Sequence, residues 1–131
     1  NLSGSGQTSP ETTSGSDNTT QPVKTVKELE PVQAYTLLNN DKNIVIIDVR
    51  SSSEFSDGHI SGAINIEYNS SSFISNIEKL DKSGKYLVYC KSGSRSSAGI
   101  DIMKQSGFTE IFNLVGGITS WKEKGYAVIS D

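Results

Sequence analysis

The chain has little of what many function classes require. Of its 131 residues only one is cysteine, Cys90, and only one is histidine, His59. A single thiol excludes an intramolecular disulfide, a Cys-x-x-Cys redox pair and a multi-thiolate zinc site, and a single imidazole leaves no His-rich metal cluster. Acidic residues outnumber basic ones 15 to 12, a formal net charge of -3, so the basic excess that binds nucleic acid by displacing phosphate counterions is missing. Any anion site must therefore be local. No apolar run approaches the roughly 20 residues that a membrane-crossing helix needs. With 34% hydrophobic content over this length, one domain is expected and a second has little room.

Residues 1–22 are mostly Ser, Thr, Gly, Gln, Pro and Asn, with Leu2 as the only aliphatic side chain. Such a segment cannot bury enough surface to offset its ordering entropy, and a disordered tether is expected there, followed by a domain over 23–131. The segment opens on Asn1 rather than Met and resembles the spacers that hold extracytoplasmic domains of bacterial lipoproteins off a membrane, although no lipidated cysteine is present in it. The expectation is an exported position with membrane contact only through this tether, and a cytoplasmic position is the alternative. The triplets at Asn18 and Asn69 match the glycosylation pattern but arise readily by chance in Ser/Thr-rich sequence and carry no weight.

Beyond the tether, short apolar runs alternate with helical periodicity. An edge strand is expected at Val23 to Val26. Pro31 suits the first turn of a helix, where its missing N–H would have been unpaired anyway, and Ala34, Leu37 and Leu38 recur at helical spacing up to Asn39-Asn40. The β-branched run from Asn43 to Asp48 and the run Tyr86 to Tyr89 read as strands buried on both faces of a mostly parallel sheet. Between them the pattern predicts a short helix at Ser52 to Ser56, a strand at Ala63 to Ile66 and a helix near Phe73 to Leu80. A helix from about Ser97 to Gln105, a strand at Glu110 to Leu114, and a last helix after Gly116-Gly117 with Ile118 and Trp121 on one face complete the pattern. Strands alternating with helices at this spacing predict an α/β sandwich.

Cys90 follows the second buried run directly and precedes Lys91-Ser92-Gly93-Ser94-Arg95-Ser96 and a helix, which places it at the carboxyl end of a central strand. Open α/β sheets bind ligands there. A tight strand-to-helix loop turns successive N–H groups inward, and the helix N-terminus adds partial positive charge, so the loop is suited to an anion. Gly93 lets the backbone turn, Arg95 supplies a permanent cation with a planar fork of donors for an oxyanion, and Lys91 adds a mobile charge. The same field favours thiolate over thiol and lowers the Cys90 pKa from its reference of about 8.5. A lone cysteine after an apolar strand is more often a small buried hydrophobe than a catalyst. Here the loop, the glycine and the arginine shift the reading toward function.

The string Cys90-Lys91-Ser92-Gly93-Ser94-Arg95-Ser96 resembles the active-site loop of the rhodanese family. Asp48-Val49-Arg50, Glu54-Phe55 and Gly58-His59-Ile60-Ser61-Gly62-Ala63-Ile64-Asn65-Ile66 resemble the family's first signature. Asn113-Leu114, Gly116-Gly117-Ile118, Trp121 and Gly125-Tyr126 resemble its closing one. The resemblance spans roughly residues 24 to 130. It implies a three-layer sandwich around a sheet of about five strands, and a ping-pong sulfurtransferase of the thiosulfate sulfurtransferase type. Cys90 would attack the outer sulfur of thiosulfate or a related donor, sulfite would leave, and the Cys90 persulfide would pass its sulfur to cyanide or a thiol. The resemblance implies that the amides from Lys91 to Arg95 surround the persulfide, that Arg95 steers the donor anion, and that no metal or organic cofactor is needed. A monomer is expected. Lys91, Ser92, Gly93, Ser94 and Ser96 are the candidate substrate-binding residues beside the catalytic pair Cys90 and Arg95.

Other motif residues read as structural. Arg50 and Glu54 stand four apart, and with Asp48 they are expected to form a salt-bridged network bracing the loop. His59 is expected to be a hydrogen-bonded structural histidine, since transfer from a pre-formed thiolate needs little proton abstraction. Trp121 is expected in the core and the double glycine in a turn. Three rival functions remain. A phosphatase or arsenate reductase would use a similar loop, but the four residues from Lys91 to Ser94 are one fewer than dual-specificity phosphatases carry to encircle a phosphate. A non-catalytic persulfide carrier and a redox-sensing thiol are the others.

Overall fold

The β-branched stretch Ile44–Asp48 and the apolar stretch Lys85–Tyr89 form neighbouring parallel strands, and the rest of the domain is arranged around them. A computed structural model describes residues 25–130. The tether expected over 1–22 and the start of the strand expected at Val23 lie outside the described residues. The strands are β1 (Thr25–Leu29), β2 (Ile44–Asp48), β3 (Ile64–Asn65), β4 (Lys85–Tyr89) and β5 (Glu110–Leu114). They form one sheet in the order β1-β5-β4-β2-β3, with every pairing parallel. The helices are α1 (Pro31–Asn40), α2 (Ser52–Asp57), α3 (Phe73–Glu78), α4 (Ser94–Gln105) and α5 (Gly117–Glu123).

Alternation along β4 sets the layers. Tyr86 and Val88 point to one face with Cys90 after them, packing among Phe73 and Ile77 of α3 and Ile100 and Met103 of α4. Leu87 and Tyr89 point to the other, among Ala34 of α1 and Ile118 and Trp121 of α5. Leu87, Val88 and Tyr89 are each 0% exposed, and burial at about 2 kcal/mol per large side chain makes a one-residue slip, which would exchange the two faces, untenable. This is the three-layer α/β sandwich the sequence predicts.

Several boundaries differ from expectation, for local reasons. The edge strand runs Thr25–Leu29, because its pairing with β5 extends from Glu110 to Leu114. Ile64–Asn65 is shorter than the run Ala63 to Ile66 because only two residues pair with β2. Val45 is exposed, so β2 is not buried on both faces throughout. Most consequentially, α4 begins at Ser94, three residues before the expected Ser97, and so takes Arg95 and Ser96 into its first turn. Helices α1 and α2 each open on a capping box, Glu30 with Gln33 and Ser51 with Glu54.

Candidate active site

Three neighbouring strands, β2, β4 and β5, end side by side, and the segments that leave them build one site. β4 delivers Cys90, which is 1% exposed. The chain then turns at Gly93, whose φ of 122° suits a residue without Cβ, and enters α4. Gly93 is the N-cap of that helix and offers no side chain to its unpaired N–H groups. Sulfur takes that place. The Gly93 amide donates to Cys90 Sγ at 3.0 Å, and the Ser96 hydroxyl lies 3.7 Å from it. Burial pushes the Cys90 thiol up. The backbone N–H and hydroxyl of Ser96, with the amides of Gly93 and Ser92, outweigh it and leave the thiol below its ordinary range.

Ser96 is 0% exposed and belongs to a second row of partners behind the sulfur. Its hydroxyl, with one hydrogen to give, stands 3.0 Å from the Gly93 carbonyl and 2.9 Å from Asn113 Oδ1. Asn113, buried on β5, donates its side-chain N–H groups to the Glu28 carboxylate on β1 at 3.1 and 3.3 Å. Those donations fix the amide so that its oxygen faces Ser96.

The segment after β5 closes the loop from the other side. Ile118 N–H donates to the Cys90 carbonyl at 2.9 Å and Thr119 N–H to the Lys91 carbonyl at 3.2 Å. With these carbonyls occupied by the start of α5, the following amides are left for the sulfur. Gly117 permits the approach: a Cβ there would lie 2.4 Å from the Cys90 carbonyl oxygen and 2.5 Å from that of Lys91.

The segment after β2 contributes Glu54. Its carboxylate accepts the Ser51 N–H and hydroxyl, both at 3.1 Å, and holds Arg95 in a two-pronged pair at 2.9 and 3.3 Å. Arg95 holds the Glu54 carboxyl down to about 2 against the opposing effect of burial, with Ser51 helping. The expected network of Asp48, Arg50 and Glu54 is present in part: Asp48 and Arg50 pair, and Glu54 braces the loop, but through Arg95 rather than through an ion pair with Arg50. Arg50 turns to the fully buried Asp48 at 2.7 Å and to the Gly58 carbonyl, while Glu54 reaches across to α4. The i, i+4 spacing misleads because Arg50 precedes α2 and the two side chains do not share a helical face.

Of the candidate substrate-binding residues, Gly93 and Ser96 touch the sulfur and Ser92 acts on it through its amide. The cradle thus reaches Ser96, beyond the Lys91 to Arg95 span. Lys91, Ser92 and Ser94 are exposed. His59 is buried, stacks on Phe55, and its Nδ1 donates to the Phe55 carbonyl at 2.8 Å. Trp121 lies in the core and donates from Nε1 to the Ala127 carbonyl. A concavity of about 580 Å³ lined by Tyr35, Ile44, Ile60 and Trp121 is separate from the Cys90 loop. Among the described residues no group of three or more His, Cys, Asp or Glu side chains could hold a metal ion. Sequence reasoning missed Glu28 altogether and the approach that Gly117 permits. Asn113 was legible, since an amide inside an apolar strand needs a buried partner.

Comparison with known proteins places this geometry. The model of the rhodanese-like domain matches residues 30–124. The chain belongs to the rhodanese-like domain family. Thiosulfate sulfurtransferase GlpE of Coxiella burnetii is 32% identical over 96 residues, which cover 73% of this chain and 87% of that protein. The tRNA uridine(34) hydroxylase of Acaryochloris marina is 33% identical over 107 residues, or 79% of this chain, but this rhodanese-like chain spans only 34% of that relative's length. Among solved structures, the rhodanese-related protein from Thermoplasma volcanium superposes with a TM-score of 0.71 at 31% identity, over 80% of this chain and 99% of its own. Sulfurtransferases are thus among the relatives, and the rhodanese-like fold is shared throughout.

Proposed function

We propose that this rhodanese-like protein carries a sulfane sulfur as a persulfide on Cys90, taking it from a donor of the thiosulfate class and passing it to a thiol or cyanide. The observation that supports this most is the cradle itself: one buried sulfur at the head of α4, with the Gly93 amide at 3.0 Å and the Ser92 and Ser96 amides acting on it. Four residues between Cys90 and Arg95 leave a small ring of N–H groups, matched to one sulfur atom rather than to a phosphate.

In the first half-reaction the Cys90 thiolate attacks the outer sulfur of S–SO3²⁻. A Cys90–sulfur bond forms, the donor's sulfur–sulfur bond breaks, and its electron pair leaves with sulfite. Cys90 then bears –S–S⁻, whose charge the same amides stabilise. In the second half-reaction the acceptor attacks the terminal sulfur and Cys90 leaves as thiolate. Charge and atoms balance in both, and no cofactor enters. Arg95 lies within electrostatic reach of Cys90 and is held there in its pair with Glu54.

Incubation with thiosulfate followed by intact-protein mass spectrometry is expected to show a gain of one sulfur on Cys90 that cyanide discharges as thiocyanate. Cys90→Ser is expected to abolish both adduct and turnover while lowering the Tm by no more than about 4 °C. Turnover retained in that variant, or hydrolysis of a phenyl phosphate without any sulfur adduct, would refute the proposal.

A further inference from the structure

Both arginines near the carboxyl ends of β2 and β4 are already paired, Arg50 with Asp48 and Arg95 with Glu54. The second pair is the informative one. Glu54 engages both terminal nitrogens of the guanidinium, and its carboxylate is itself steadied by the Ser51 N–H and hydroxyl at the start of α2. Arg95 acts electrostatically on Cys90, so a donor anion drawn to that sulfur meets an ion pair contributed by two helices, with a carboxylate beside the cation, rather than an open guanidinium. A dianion would gain twice what a monoanion gains from an open guanidinium, so pairing Arg95 with Glu54 takes more from the dianion.

We propose that Glu54 is a specificity-determining residue which withholds Arg95 from the incoming donor, so that the site selects sulfane donors of low negative charge, such as persulfides and organic thiosulfonates, over dianionic thiosulfate. The inference rests on the persulfide chemistry proposed above and names its substrate class. Glu54 touches no reacting atom; it acts through Arg95.

The test compares thiosulfate, a dianion, with benzenethiosulfonate, a monoanion, both read as thiocyanate formed with cyanide as acceptor. The thiolate attacks the outer sulfur of either donor, and sulfite or benzenesulfinate leaves with the electron pair, so differences in leaving group cancel when the kcat/KM ratio of the two donors is compared between variants. Glu54→Gln keeps a capping side chain at that position and removes the charge. It is expected to raise the thiosulfate-to-benzenethiosulfonate ratio on the order of tenfold, through a lower KM for thiosulfate. In an Arg95→Ala background the same change is expected to leave the ratio where it was. A ratio unmoved by Glu54→Gln, or moved equally without Arg95, overturns the proposal.

Ionic strength supplies a measurement that needs no variant. Wild-type kcat/KM for thiosulfate is expected to change by less than about threefold between low and moderate salt, because the mouth presents a neutral pair. A steep fall with salt in the wild type would show that the cation is already available and would also overturn the proposal. Wild-type protein that transfers sulfur from neither donor would instead remove the persulfide reading, and this inference with it.

Discussion

The sulfur of Cys90 is held where two opposed effects meet. A residue 1% exposed loses the water that would solvate a thiolate, and in an apolar pocket that alone would keep the proton on. Four donors from the head of α4, the N–H and hydroxyl of Ser96 and the amides of Gly93 and Ser92, reverse the sign. The hydroxyl is the part that a side-chain substitution can remove. Ser96→Ala is expected to move the pH midpoint of Cys90 alkylation upward, toward the ordinary thiol range, and to lower kcat/KM at neutral pH by up to about tenfold. At pH values well above the midpoint the two proteins should alkylate at similar rates. A midpoint that stays in place would assign the stabilisation to the backbone alone. Asn113 is part of the same account, because its oxygen competes with the sulfur for the one Ser96 hydrogen.

At the scale of elements, the site is a junction of helix starts. α4 presents its first N–H groups to the sulfur, and α5 presents its own to the carbonyls of Cys90 and Lys91. The second contact keeps the loop turned with amides inward, and it depends on the absence of a side chain at Gly117. Gly117→Ala combines a positive φ of 61° with an approach of 2.4 Å to the Cys90 carbonyl oxygen, so α5 must shift or the loop must open. The expected cost is about 3 kcal/mol of stability together with most of the turnover. Gly93→Ala also carries a positive φ but meets nothing within 4 Å, and only backbone strain of about 1–2 kcal/mol is expected. Denaturant unfolding of the two variants measures the difference. Equal losses would show that the α5 contact adds nothing beyond φ.

For the whole molecule, charge pairs tie elements far apart in sequence. Arg95 and Glu54 join α4 to α2, and Lys85 and Asp41 join β4 to the end of α1. Hydrogen bonds from the paired cations hold the Asp41 and Glu54 carboxyls below their ordinary range, with burial opposing. A carboxyl depressed in the folded state binds its proton more readily in the unfolded chain. Its stabilisation is therefore complete above the unfolded value and is lost as pH falls through the folded one. For Glu54 that window runs from about 4.5 down to about 2. Urea midpoints followed by the fluorescence of Trp121, the only tryptophan, are expected to fall as pH drops below about 4, through the window in which Glu54 takes up its proton. Glu54→Gln should flatten part of that decline, by about 1 kcal/mol or less, since the pair is roughly a third exposed. A variant that declines as steeply as the wild type would show that the pair adds no stability.

Period and punctuation made most of the architecture legible in the amino-acid string. The β-branched run ending at Asp48, the Pro31 start of α1, the strand Glu110–Leu114 and the strand-loop-helix around Cys90 are local patterns, and local sterics and burial enforce them. Partner choice was not legible. Arg50 and Glu54 stand four apart in sequence yet part company, because Glu54 finds Arg95 forty-one residues later once β2 and β4 lie side by side. Glu28 reaches Asn113 across eighty-five residues for the same reason, and Gly117 meets the Cys90 carbonyl only because β5 flanks β4. The sequence by itself determined the strands, the helices and the residue that carries the sulfur in our proposal. Which charges face that residue, and which carbonyls are turned away from it, was decided only when parallel strands brought three chain segments to one end of the sheet.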